Sequence, residues 1–112
     1  MKLVTDKISL KELRQLAEER FGDMVKAVVD LERVIMVIGG ELHADEESLL
    51  LDEGSEQQNL WGINIYPDKP RDKWIEFDSV INIKPRQNNH SRDVEDLKIK
   101  EKIIQLVNNL IQ

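Results

Sequence analysis

The chain has 112 residues, with 16 Lys and Arg against 22 Asp and Glu for a net charge of −6, and it has no cysteine. A single domain is the expectation, since one core typically organises roughly 100–200 residues. Disulfides, thiolate zinc sites and cysteine nucleophiles are excluded, and the acidic balance argues against nucleic acid or an anionic membrane surface as partner, because both require a positive field.

The N-terminal stretch Met1-Lys2-Leu3-Val4-Thr5-Asp6-Lys7 lacks the apolar core of a signal peptide. The longest apolar run, Val34-Ile35-Met36-Val37-Ile38, falls far short of the ~20 residues that cross a bilayer. No membrane partner and a cytoplasmic location are therefore expected.

Leu3-Val4 reads as a short edge strand. Ser9 followed by Glu12 has the spacing of a capping box, and Leu10, Leu13, Ala17 and Phe21 form one helical stripe that Gly22 terminates. Met24–Asp30 and Val34–Ile38 are rich in β-branched residues and too short for typical helices, so they read as two strands of a hairpin. The connection has no Asn-Gly or Asp-Gly to define its turn. The second run is apolar at every position, which predicts cover on both its faces.

Residues 41–57 hold Glu41, Asp45, Glu46, Glu47, Asp52, Glu53 and Glu56 with no Lys or Arg, so this window is −7 and the remainder of the chain +1. Its leucines predict a short helix from about Asp45 to Glu53, closed by Gly54. Leu60–Tyr66 alternates as a strand, Pro67–Asp72 is a turn by composition, and Trp74–Ile83 alternates again. Pro85 opens a polar segment, and a last helix capped by Asp93 or Asp96 carries Ile99, Ile103, Leu106, Val107 and Leu110. The predicted fold is α+β in the order β-α-β-β-α-β-β-α. It has a mainly antiparallel four- to five-stranded sheet with two main helices covering one face.

Three groups of residues could carry chemistry. Glu41, His43 and Asp45 follow Gly39-Gly40 at two-residue spacing, and an extended backbone would aim all three to one side. A carboxylate with an imidazole can hold a divalent metal or act as an acid–base pair. Equally, the acids suit a helix N-terminus through its dipole, and the imidazole needs only a local hydrogen bond. Arg86, Asn88, His90 and Arg92 offer donors to a phosphate or carboxylate, although Asn and Ser also serve ordinary loops. Glu76, Asp78 and Asn82 lie on the less apolar face of the last strand, as catalytic carboxylates or as its wet side.

No P-loop, dinucleotide fingerprint, H-E-x-x-H or G-x-S-x-G is present. No cofactor and no particular metal is indicated. If the Gly-Gly end and the Pro85 loop share an edge of the sheet, the acidic and basic groups would face each other across one cleft.

Arg20-Phe21-Gly22-Asp23-Met24 through Asp30, Gly39-Gly40-Glu41-Leu42-His43-Ala44-Asp45, Leu60-Trp61-Gly62-Ile63-Asn64 and Phe77-Asp78-Ser79 together resemble a small prokaryotic family known only as a domain of unknown function. The resemblance spans nearly the whole chain and implies a free-standing single domain. It brings no activity, cofactor or catalytic residue. Two functions follow as expectations: a non-enzymatic accessory or interaction protein with a protein partner or a second copy of itself, or a small metal-assisted hydrolase or transferase acting on an anionic substrate. In the second, Glu41, His43 and Asp45 do the chemistry and Arg86, Asn88, His90 and Arg92 bind.

Overall fold

The computed structural model describes residues 1–112. Ser9 caps the first helix as its spacing predicts, its Oγ accepting the Glu12 amide at 3.1 Å. The elements are β1 (Lys2–Val4), α1 (Leu10–Arg20), β2 (Val25–Asp30), β3 (Ile35–Gly40), α2 (His43–Asp52), β4 (Leu60–Ile65), β5 (Ile75–Glu76) and α3 (Leu97–Leu110), with short 3₁₀ turns between the later ones. The strands form one five-stranded sheet in the order β1-β3-β2-β4-β5, and every pairing is antiparallel.

Period-two alternation sorts the strand residues onto two faces. Ala27, Val29, Met36, Ile38, Trp61 and Ile63 point to one, where α1 contributes Leu13 and Ala17 and α3 contributes Ile103, Leu106, Val107 and Leu110. Val28, Ile35, Val37 and Leu60 point to the other and meet Leu50 of α2. Complete burial of one such side chain contributes about 1.5–3 kcal/mol, so the larger cluster dominates the stability and the smaller one holds α2.

Two main helices on one face were expected; the fold has three, and they lie on both faces. The third is α2. Two of its three buried positions are His43 and Glu46, with Leu50 the only apolar one, so hydrophobic periodicity understates it. The helices leave no segment long and apolar enough to cross a membrane.

The strand predicted over Trp74–Ile83 is cut to Ile75–Glu76, after which Val80–Asn82 is a 3₁₀ turn. At Gly62 of β4, the side-chain amide of Asn82 takes the place of a neighbouring strand. Its Oδ1 accepts the Gly62 N–H at 2.8 Å and its Nδ2 donates to the Gly62 carbonyl at 2.9 Å. A carboxamide offers the same donor–acceptor pair as a strand residue, so the ladder ends with both groups satisfied. Gly62 also admits Ser79, whose Oγ would lie 2.6 Å from a Cβ at this position.

The β2–β3 turn contains a local strain. Asp30 Oδ1 accepts the amides of Glu32 and Arg33 at 2.9 and 3.0 Å, and Val34 closes the turn at φ 56°. This left-handed conformation costs an L-residue about 1–2 kcal/mol, and a β-branched side chain is among the least suited to it. Val34 is half exposed, so little burial offsets the strain. Val34→Gly or Val34→Asn should raise stability by about 1 kcal/mol and the melting temperature by about 4 °C. Thermal unfolding followed by circular dichroism measures this directly.

Candidate functional site

Gly39-Gly40 ends β3, and α2 begins at His43 rather than at Asp45. That difference decides the geometry of the first candidate group. Helical residues two apart diverge by about 200°, so His43 and Asp45 point to opposite sides. His43 turns under the helix and is buried, its Nε2–H donating to the Ile63 carbonyl at 2.8 Å. Burial lowers its pKa below the ordinary value, favouring the neutral ring; the Ile63 bond opposes this, and the charges of Lys26, Asp78 and Arg92 also reach it. Glu41 sits in the preceding turn, exposed, with Oε2 3.7 Å from Arg20 Nη1. Glu41 and Asp45 instead line an open hollow of about 480 Å³ with Arg20, Gly40, Ser48 and Asp52, to which His43 does not contribute. Nowhere do three or more His, Asp or Glu side chains assemble in an arrangement that could hold a metal ion.

The basic segment is organised by a residue that its spacing did not single out. Asn89 is buried, and its Nδ2 donates to the carbonyls of Asn82 and Asp93, both at 2.7 Å, and of Ser91 at 3.1 Å. Its Oδ1 accepts the Glu95 amide at 2.8 Å. Around this centre, Asn88 takes the left-handed conformation at φ 61°, and His90 Nε2 donates to Asn88 Oδ1 at 3.1 Å. Arg92 Nε donates to Asp78 Oδ1 at 2.6 Å. Arg86 is exposed and lines a separate hollow of about 660 Å³ with Gln57, Gln58 and Lys84.

None of the principal hollows is lined by residues of both segments. Their one meeting is electrostatic, where the Asp78–Arg92 pair comes close enough to act on the His43 ring. Of the third group, Glu76 Oε1 accepts from Asn64 Nδ2 at 2.8 Å and from the Tyr66 hydroxyl at 3.3 Å, while Asn82 is wholly buried on β4.

The most perturbed side chain is Glu46, which residue type alone marks only as one more acid near a helix start. It lies three residues after His43 and four before Leu50, so it shares their buried stripe. Its Oε2 accepts the Gly40 N–H at 3.0 Å, and its Oε1 is buried with no partner. Gly40 makes this possible, since a Cβ there would lie 2.7 Å from Glu46 Cγ. Burial pushes the carboxyl up to about 9, against the Gly40 hydrogen bond and the positive charges of Lys26 and the N-terminus, with Asp45 adding to the rise.

The folded state therefore holds a proton on Glu46 that the unfolded chain releases near its ordinary value of 4.5. Stability from this group should fall as pH rises between those two values, with a limiting slope of about 1.4 kcal/mol per pH unit. His43 acts oppositely, losing stability as pH falls below its ordinary 6.5. Glu46→Gln should flatten the decline across the whole window from about 4.5 to about 9 and leave the pH dependence below that window unchanged. Urea denaturation across that pH range is the measurement, and a wild-type slope retained in Glu46→Gln would assign the decline elsewhere.

A family model described as "Protein of unknown function (DUF5674)" matches residues 2–110. No curated protein and no solved structure matches the chain. The family match runs from the first strand to the end of the last helix, and the chain belongs to the DUF5674 family of proteins of unknown function.

Proposed function

We propose that this protein is a non-enzymatic cytoplasmic accessory protein that engages a basic segment of a partner protein through the outer face of α2. The observation that carries this reading is the charge left unpaired there. Asp45 and Asp52, seven residues apart on one side of the helix, line the same hollow as Glu41 and Ser48. Neither aspartate takes part in an ion pair, and the only one nearby joins Glu41 to Arg20. Leu42 and Leu51 stand exposed on the same segment. Acidic side chains beside exposed leucines complement a Lys/Arg-rich stretch with apolar residues, which they would attract at long range and hold at short range.

The enzymatic alternative needs His43 to join Glu41 and Asp45 around a substrate or cation. A ring that donates to Ile63 beneath the helix is turned away from both carboxylates.

A synthetic Arg/Leu peptide, titrated into the isotopically labelled protein, should shift the amides of residues 41–52 and bind more weakly as salt is raised. The double substitution Asp45→Asn, Asp52→Asn should weaken it about tenfold while lowering the melting temperature by only a few degrees, since both residues are exposed and only the first-turn Asp45 meets the helix dipole. Equal affinity in that variant would remove the proposal. A mass that grows with protein concentration, abolished by the same double substitution, would replace the basic partner with a second copy of this chain.

Millimolar Mg²⁺, Mn²⁺ or Zn²⁺ should leave the melting temperature unchanged. A rise that Asp45→Asn abolishes would favour the metal-assisted reading, because a ligand of the folded state stabilises it by mass action.

A further inference from the structure

On the face that carries α3, where β5 meets that helix, the surface encloses a hollow of about 490 Å³ lined by Arg71, Asp72, Ile75, Phe77, Ile104 and Asn108. Ile75 and Phe77 form its apolar floor, half buried against the main core. Ile104 forms the opposing wall, 40% exposed beside the fully buried Ile103. Arg71 stands at the polar end and is held three ways. Its guanidinium lies over the Trp74 ring at 3.9 Å, Nε donates to Asn108 Oδ1 at 3.1 Å, and Nη2 donates to the Ile111 carbonyl at 3.2 Å. All three partners are neutral, no carboxylate pairs with Arg71, and Nη1 has no protein partner.

An ordered guanidinium with no ion-pair partner, beside an apolar hollow, is a recognisable chemistry. Small-molecule sites are mainly apolar concavities of roughly 300–1,000 Å³ with a few fixed polar groups, and a cation already held in place costs little further ordering on binding. We infer that this hollow binds a small amphiphilic monoanion, an aliphatic or aromatic carboxylate, with its carboxylate on Arg71 Nη1 and its apolar body against Ile75, Phe77 and Ile104. Asp72 in the same lining repels a second negative charge, which selects against phosphate monoesters and dicarboxylates. The only other polar side chain in the lining, Asn108, has its Oδ1 committed to Arg71. A strongly hydrophilic acid would therefore find few partners. This site lies apart from the acidic hollow of α2, with no lining residue in common.

Octanoate and 1-octanol separate the contribution of the carboxylate from that of the chain. In a titration of the full-length protein followed by amide resonances, octanoate should saturably shift Arg71, Ile75, Phe77, Ile104 and Asn108. It should bind about tenfold more tightly than 1-octanol, the difference expected of one charge-assisted hydrogen bond. Arg71→Gln should remove that difference and leave 1-octanol binding unchanged. Asp72→Asn should tighten octanoate, and Ile104→Trp should fill the hollow and abolish both ligands. Should Ile104→Trp fail to fold, Arg71→Gln still carries the test, since Arg71 is exposed. Equal affinities for the two ligands, undiminished octanoate binding by Arg71→Gln, or shifts scattered over the exposed leucines would overturn the assignment.

Discussion

The seating of α2 on the sheet is the constraint from which the molecule's outward chemistry follows. Leu50 supplies the one fully buried apolar anchor, against Val28, Val37 and Leu60. The other two anchors are polar: the His43 ring on the Ile63 carbonyl and the Glu46 carboxyl on the Gly40 amide. The Glu46 carboxyl keeps its proton because burial outweighs the Gly40 hydrogen bond, which favours the charged form. Because 43, 46 and 50 face inward, 45, 48 and 52 must face outward. The acidic surface is thus the geometric complement of a buried, largely neutral stripe.

Close backbone approach is the second organising feature. Gly40 gives Glu46 its room, and Gly62 admits Ser79 while offering its amide and carbonyl to Asn82. A methyl group at either glycine would force a neighbour to move, which in a packed interior typically costs about 1–3 kcal/mol. Beyond Asn82, the loop to α3 is built around Asn89, whose amide group bonds four main-chain atoms of residues 82–95. Of the exposed residues around it, His90 donates to Asn88 and Arg92 to Asp78, while Arg86 lines a hollow of its own.

The two faces of the sheet consequently present different chemistries. Around α2 the surface is acidic, with Leu42 and Leu51 exposed. Between β5 and α3 it is apolar with one ordered cation at its end. The shortness of β5 helps create the second site. Because the chain leaves the ladder after Glu76, Phe77 stays half buried and turns toward Ile104 rather than being covered by a further strand.

By itself the amino-acid sequence determined the elements whose signals are local: the capped α1, the β2–β3 hairpin, β4, the amphipathic α3 and the antiparallel sheet they imply. Apolar periodicity and caps act within a few residues, so they can be read without knowing what lies across the fold. Only the tertiary structure decided that α2 starts at His43, that Glu46 is buried on Gly40, that Trp74–Ile83 yields a two-residue strand, and that Arg71 meets Asn108 and Ile111. Each of these depends on a partner distant in the chain. The side that a polar residue presents is settled by which main-chain amide or carbonyl needs it, and that demand exists only once the sheet has formed.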